Sequence, residues 1–531
     1  MKPIFYPFIA ILLFFAIAPV FAQEQENGAV YYVNSFSFNI KGITSPNAIL
    51  RNGELKVGEL LVGEAKLQKY IADKTQLLLN QRVLKKVSMD YTIGEVRPDG
   101  AYPVDFTINT EDTWNIIAIP YPKYDSNTGF SLTLKARDYN FLGGMNPLSL
   151  DLGYQYNEKH QSSLIVSLES DTPFTALGYN WYLTFNNYFN YRPNVSQPYF
   201  YQNTTGLAMD LPYKRTTFTF GLNENVYLNQ ENADRYKKEY GEFQNGLYMT
   251  TNPVISWKIP TGVFIGNYGE LTYTPQISAT INHQFPQWPL ADFLIGPVAS
   301  FSHTLGFSQV DWINNYRRGF DVSLSNSYDY DFHYMEKGPE ALNLSYTAAA
   351  KGYFIISERF GFSAFLQFRQ WLYHNPDYYD TGGDALRGIL DNAIHANYML
   401  SLNMDFPVRV LKFMPSEWFN TQSLRFFNFE LHISPIIDMA LFKGTLSNNK
   451  SAEKYMNVDF NFRDMLVSGG FEAIVFPEFM RSLYLRISIA WNITDQINHP
   501  RDYYLTPILP IVPHLPVDKY REIFIGLGHQ Y

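Results

Sequence analysis

From Trp114 to the C-terminus helical periodicity nearly vanishes and apolar residues alternate with polar ones at a period of two. Phe130, Leu132 and Leu134 oppose Ser131, Thr133 and Lys135, and Leu148, Leu150, Leu152 and Tyr154 oppose Ser149, Asp151, Gly153 and Gln155. The same pattern returns at Phe218–Leu222, Phe320–Leu324, Leu400–Phe406, Phe427–Ile433 and, most clearly, Leu483–Trp491. Side chains of a strand point to opposite faces in turn, so this spacing predicts a long series of strands with one apolar and one polar face. A soluble sandwich and a membrane barrel with a wet lumen both satisfy that pattern.

Other features separate the two. Met1-Lys2-Pro3, the apolar run Phe8–Ile17 and Ala18-Pro19-Val20-Phe21-Ala22 before Gln23-Glu24 read as a secretory signal peptide over 1–22. No later segment supplies the roughly 18 to 20 uninterrupted apolar residues of a membrane helix, and Leu505–Val517 is broken by four prolines. Tyr 40 and Phe 42 help to raise the aromatic share to 17%, which suits the ring girdles at the two interfaces of a membrane barrel. Ile523, Ile525, Leu527 and the terminal Tyr531 share one face of a closing strand. With no cysteine in the chain, disulfides, thiolate metal sites and a lipid-bearing cysteine are excluded. A net charge of −9 without a basic tract argues against nucleic acid.

Ahead of the barrel, residues 31–112 read as a small α+β unit. Phe36, Phe38 and Ile40 alternate in a first strand, Ser45 or Thr44 before Pro46 starts a helix, and Leu67, Tyr70, Ile71, Leu77 and Leu78 line one face of a second helix over Glu64–Asn80. Two strands around Val87–Ile93 and Tyr102–Ile108 complete the order β-α-α-β-β.

This order and three later segments resemble the BamA/TamA superfamily of outer-membrane protein insertases, whose POTRA domains have that arrangement. Asp138-Tyr139-Asn140-Phe141-Leu142-Gly143-Gly144 is similar to the family's turn after the second barrel strand. Leu386-Arg387-Gly388 resembles the sixth-loop motif, with Ile389 in place of an aromatic ring. Ile436-Ile437-Asp438-Met439-Ala440 resembles the motif of the thirteenth strand, with Ala440 for glycine.

The resemblance implies a mainly β, 16-stranded transmembrane barrel over 113–531, about 26 residues per strand and connection, behind a POTRA-like periplasmic domain. It implies that the sixth loop enters the barrel and that Arg387 pairs with Asp438. By parity Asp438, Glu430 and Glu472 all project inward, and a buried guanidinium needs such a carboxylate. The implied partners are client outer-membrane or secreted polypeptides, outer-membrane lipid, and periplasmic accessory subunits or chaperones.

No nucleophile elbow, phosphate loop or zinc helix is present, so catalytic residues, a metal and a cofactor are not expected, and neither is enzyme activity. The leading expectation is an assembly or translocation factor; the alternatives are a passive pore or structural barrel, or a dedicated two-partner-type secretion transporter. Pro120 and Pro122 in the first barrel strand have no N–H to donate. If that side of the strand faces the closing strand with Ile523, Ile525 and Tyr531, the seam between them forms a lateral gate.

Overall fold

The computed structural model describes residues 28–528 apart from 126–128, 157–161, 194–197, 230–245, 267–268, 285–295, 374–379, 390–392, 448–454, 482 and 495–520. The expected signal peptide and Tyr531 lie outside the described residues.

Ser45 caps the first helix, α1 (Pro46–Asn52), by accepting a hydrogen bond from the Ala48 N–H, and proline occupies its first turn where no donor is lost. β1 (Val30–Lys41) precedes it, and α2 (Glu64–Asn80), β3 (Leu84–Ile93) and β4 (Ala101–Asp112) follow. One further strand, β2 (Leu60–Val62), lies between the helices and pairs antiparallel with Val30–Tyr32. The expected β-α-α-β-β order is therefore corrected to β-α-β-α-β-β. A strand of three residues is too short to show an alternation in sequence. The sheet runs β2-β1-β4-β3, with β1 and β4 parallel, and α2 lays Leu67, Tyr70 and Leu78 on a core with Val104, Phe106 and Ile108.

After β4 the chain enters a closed barrel that begins with β5 (Ile116–Asp125) and β6 (Gly129–Asp138). Asp380–Thr381, Val408–Phe413 and Tyr455–Val458 flank the same neighbours as the strands they extend. Counting each with its parent leaves eighteen staves among the described residues. The expected number of sixteen, which the resemblance implied, is thus exceeded; tight connections at one end leave chain enough for two further staves. Leu177-Gly178, Lys214-Arg215, Asn314-Asn315 and Glu358-Arg359 each turn the chain between adjacent staves. At the first of these both residues have positive φ, 55° and 80°, matching the right-handed twist of the flanking strands. Outward positions carry apolar side chains such as Leu132, Leu134, Leu222, Ile255 and Ile277, all exposed, while polar residues fill the inward positions.

The small domain is fastened to the end of the barrel that carries these tight turns, called the near end below. At the turn after β6, Asn140 donates to Thr44 Oγ1 (2.7 Å), Arg51 donates to the Gly144 carbonyl (2.6 Å), and the Ser45 N–H donates to the Gly143 carbonyl (2.9 Å). Gly143 has φ +71°, and a Cβ there would meet the Ile43 carbonyl oxygen at 2.1 Å, so only glycine fits. On the far side of the rim, Asn80 donates to Asp311 (3.0 Å) and accepts from the Trp312 N–H (3.0 Å). Arg82 lies over the Trp312 ring at 4.1 Å and donates to Asn315 Oδ1 (3.3 Å) and to the Arg481 carbonyl. Met480 and Leu483, beside Arg481, share the small domain's apolar core with Tyr139 and Met145. These three turns join staves two and three, ten and eleven, and sixteen and seventeen. Contacts so distributed around a ring place the domain across the near mouth.

Candidate functional site

Two features of the barrel bear on function: a charged cluster inside it and the seam that closes it. The long connection between Tyr373 and Ile394 carries Leu386-Arg387-Gly388 back into the lumen. Leu386 is buried with Ile389, Ile394, Met399, Phe442 and Leu466, and Asn403 donates to the Ala385 carbonyl (2.8 Å). Gly388 has φ +90°, and a Cβ would lie 2.8 Å from the Trp491 nitrogen. The loop is thereby pressed onto staves fourteen to seventeen, beside the closing strand. It is the seventh far-end connection rather than the sixth, a consequence of the two extra staves.

Anchored in this way, Arg387 meets Asp438 as expected. Its Nη2 donates to Asp438 Oδ1 (2.6 Å), and its Nε and its backbone N–H both donate to Oδ2 (2.9 Å each). Such forked, charge-assisted contacts fix orientation as well as charge. Nη1 donates to Asp405 Oδ1 (2.5 Å) and lies 3.8 Å from Glu472 Oε2, which also pairs with Arg486 Nη2 at 2.8 Å. Asp438 and Glu472 are almost fully buried. Two guanidiniums and three carboxylates therefore sit together, and burial of any one charge depends on the rest.

Glu430 does not belong to this cluster, contrary to its place among the expected partners of Arg387. It lies on the strand of Asp438 at eight residues' distance, roughly 26 Å along a strand. There it accepts from Asn315 (3.0 Å) and pairs with Arg409 (3.4 Å) and His432 (3.4 Å). Asp405 and Arg486 take part without having been singled out. The signal for Asp405 was present: Leu400, Leu402, Met404 and Phe406 define the outward face of their strand, which sends Asp405 inward with Ser401 and Asn403.

The seam differs from every other interface of the wall. β6 pairs with β5 over ten residues and the closing strand Arg521–Gly528 pairs with Tyr484–Trp491 over eight. Between the closing strand and β5, however, the described residues form one registered pair, Phe524 with Asp125, at the far end of β5. The Tyr139 N–H donates to the Asn115 carbonyl (2.8 Å), and these two residues continue the β5–β6 register. Odd-numbered residues of β5 thus bond to β6, and even-numbered ones turn their backbone groups toward the closing strand. Pro120 and Pro122 are even-numbered, so both missing donors face the seam. Ile523 and Ile525 lie on the closing strand.

No family model and no curated protein matches the sequence. The solved structures that the chain resembles include BamA and CdiB. BamA is from Haemophilus ducreyi and lacks POTRA domains 1–3, at 11% identity and TM-score 0.40, with 94% of this chain and 84% of that chain covered. CdiB is from Acinetobacter baumannii at 12% identity and TM-score 0.45 (94% and 74% covered) and from Escherichia coli at 10% identity and TM-score 0.39 (96% and 92% covered).

Proposed function

We propose that this chain is an outer-membrane factor that inserts or exports client polypeptides through a barrel opening laterally between its first and last staves, with the small domain on the periplasmic side. The observation that carries this reading is the seam: among the described residues one registered pair joins its strands, and Pro120 and Pro122 delete two of the β5 donors that could reinforce it. An exposed strand edge of this kind can accept an added strand, its backbone groups supplying affinity without regard to client sequence. Beside it, the Arg387 loop is bonded to or packed on staves fourteen to seventeen. This role asks for no catalytic group and no cofactor.

A passive pore agrees less well with the geometry, since the near mouth is crossed by a domain hydrogen-bonded to opposite sides of the rim and the Arg387 loop occupies part of the lumen. The deciding experiment is depletion of the protein with quantification of unrelated outer-membrane barrels and of secreted polypeptides. A joint fall of several barrels supports insertion, and loss of one secreted substrate supports dedicated export. Normal levels of both with reduced uptake of small solutes would establish the pore instead.

A further inference from the structure

Most near-end connections are tight turns, but residues 414–428 form an extended excursion with a short helix, α3 (Pro415–Trp418), and a single-turn helix at Gln422–Phe427. Asn428 ties the two ends of this segment together and joins it to the next near turn. The buried Asn428 accepts from the Ser416 N–H (3.2 Å) and donates to Ser416 Oγ (2.6 Å), and its carbonyl accepts from the Glu478 N–H (3.0 Å). Outside, beside the exposed polar residues Glu417, Asn420, Thr421, Gln422 and Ser423, stand four rings: Trp418, Phe419, Phe426 and Phe427 are between 59% and 70% exposed. Four such rings on one short segment exceed what scattered surface residues explain, and they call for something to cover them.

Their position identifies the cover. Trp418 stands edge-on to Phe413 (5.0 Å), which packs on its cross-strand neighbour Phe429 (5.3 Å). Phe429 has the parity of Leu431, Ile433 and Ile437, the outward face of the wall. Phe426 packs on Phe479 of the next near turn (5.3 Å). The aromatic foot thus continues the lipid-facing surface at the near rim, below the exposed Val410 and Leu411, and carries one cation of its own, Arg425. Rings with an apolar body and, in Trp, a polar N–H favour the headgroup boundary, where cationic neighbours meet anionic lipid.

We propose that residues 414–427 are an interfacial foot seated in the periplasmic leaflet of the membrane, with Trp418, Phe419, Phe426 and Phe427 as its anchors and lipid as its partner. This rests on the reading of the barrel as membrane-spanning. The test uses the full-length protein in liposomes, and the absence of cysteine allows single sites to be labelled with a polarity-sensitive fluorophore: Phe419→Cys and Phe426→Cys in the foot, Leu222→Cys on the wall and Lys69→Cys on α2. Labels at 419 and 426 should emit blue-shifted light, be quenched more by lipids spin-labelled near the headgroup than deep in the chain, and resist aqueous iodide. If 222 is quenched by lipid while 419 and 426 behave like 69, the foot is overturned and the barrel reading stands. If 222 itself ignores lipid quenchers, the membrane-spanning reading falls and takes the foot with it. Shielding of 419 and 426 from both quenchers in native membranes would instead assign the surface to a protein partner and overturn the lipid proposal.

Discussion

Arg387 holds Asp438 with three donors, its backbone N–H, Nε and Nη2, so that one residue of the loop is tied to the wall through both main chain and side chain. Arg387→Ala removes the guanidinium from three carboxylates, and leaving a buried charge unpaired costs about 3–5 kcal/mol. The loop should then leave the lumen, and limited proteolysis of the folded protein should cut between Tyr373 and Ile394. Arg387→Lys keeps the charge without the fork and should give an intermediate rate. Parental resistance in the alanine variant would refute the anchor.

Asn80 and Arg82 tie α2 to the rim at Asp311, Trp312 and Asn315, opposite the turn held by Asn140. Replacing both with alanine removes several hydrogen bonds worth about 0.5–1.5 kcal/mol each and the stacking of a guanidinium on indole. The small domain should swing on its remaining contacts and uncover the near mouth. In planar bilayers the double variant should show larger or more frequent conductance steps, and unchanged conductance would mean that the domain does not obstruct the lumen.

Strand class and the second helix were legible because each rests on local spacing, period two in the wall and apolar positions on one face of Glu64–Asn80; the Arg387–Asp438 pair came from the resemblance of two short motifs, since parity by itself says only that Asp438 points inward. The extra staves were not legible. Sixteen was the number the resemblance implied, and two-residue turns such as Asn314-Asn315 leave little in the sequence to mark a further strand boundary. The foot escaped notice for a related reason, since Phe427 and Phe429 continue the alternation of a strand whose first residue in the fold is Phe429. Parity alone also could not say that Asp438 and Glu430 lie at different heights in the lumen, although both point inward.

Gly143 supplies a narrower test of how the domain is docked. Alanine there meets a positive φ and a backbone oxygen at 2.1 Å, and the left-handed conformation alone costs about 1–2 kcal/mol with a Cβ. Gly143→Ala should lower the unfolding midpoint of the small domain and speed hydrogen exchange in α1, leaving exchange in the wall unchanged. Gly58→Ala, at φ +94° but with nothing within 4 Å, carries the strain without the clash and should be milder. Equal effects of the two would show that docking at Ile43 contributes nothing.

The last prediction concerns the seam. Asp125 and Phe524 are in register, and since odd residues of β5 bond to β6 this is a non-hydrogen-bonded pair across the seam, where Cα atoms stand roughly 4.5 Å apart. That falls within the roughly 4.4–6.8 Å a disulfide spans. Asp125→Cys with Phe524→Cys should therefore crosslink under mild oxidation, free of background because the chain has no other cysteine. Pairs of cysteines at Ile117 or Ile119 with Ile523 or Ile525 are out of that register and should not form. Pro120→Val with Pro122→Val approaches the same question without a covalent bond, restoring two N–H donors toward the closing strand, each worth about 0.5–1.5 kcal/mol once paired. Both changes should slow client assembly, the crosslink completely and reversibly by reductant, the valines partially. A fully crosslinked protein that assembles clients at the parental rate would show that the barrel does not open between these two strands.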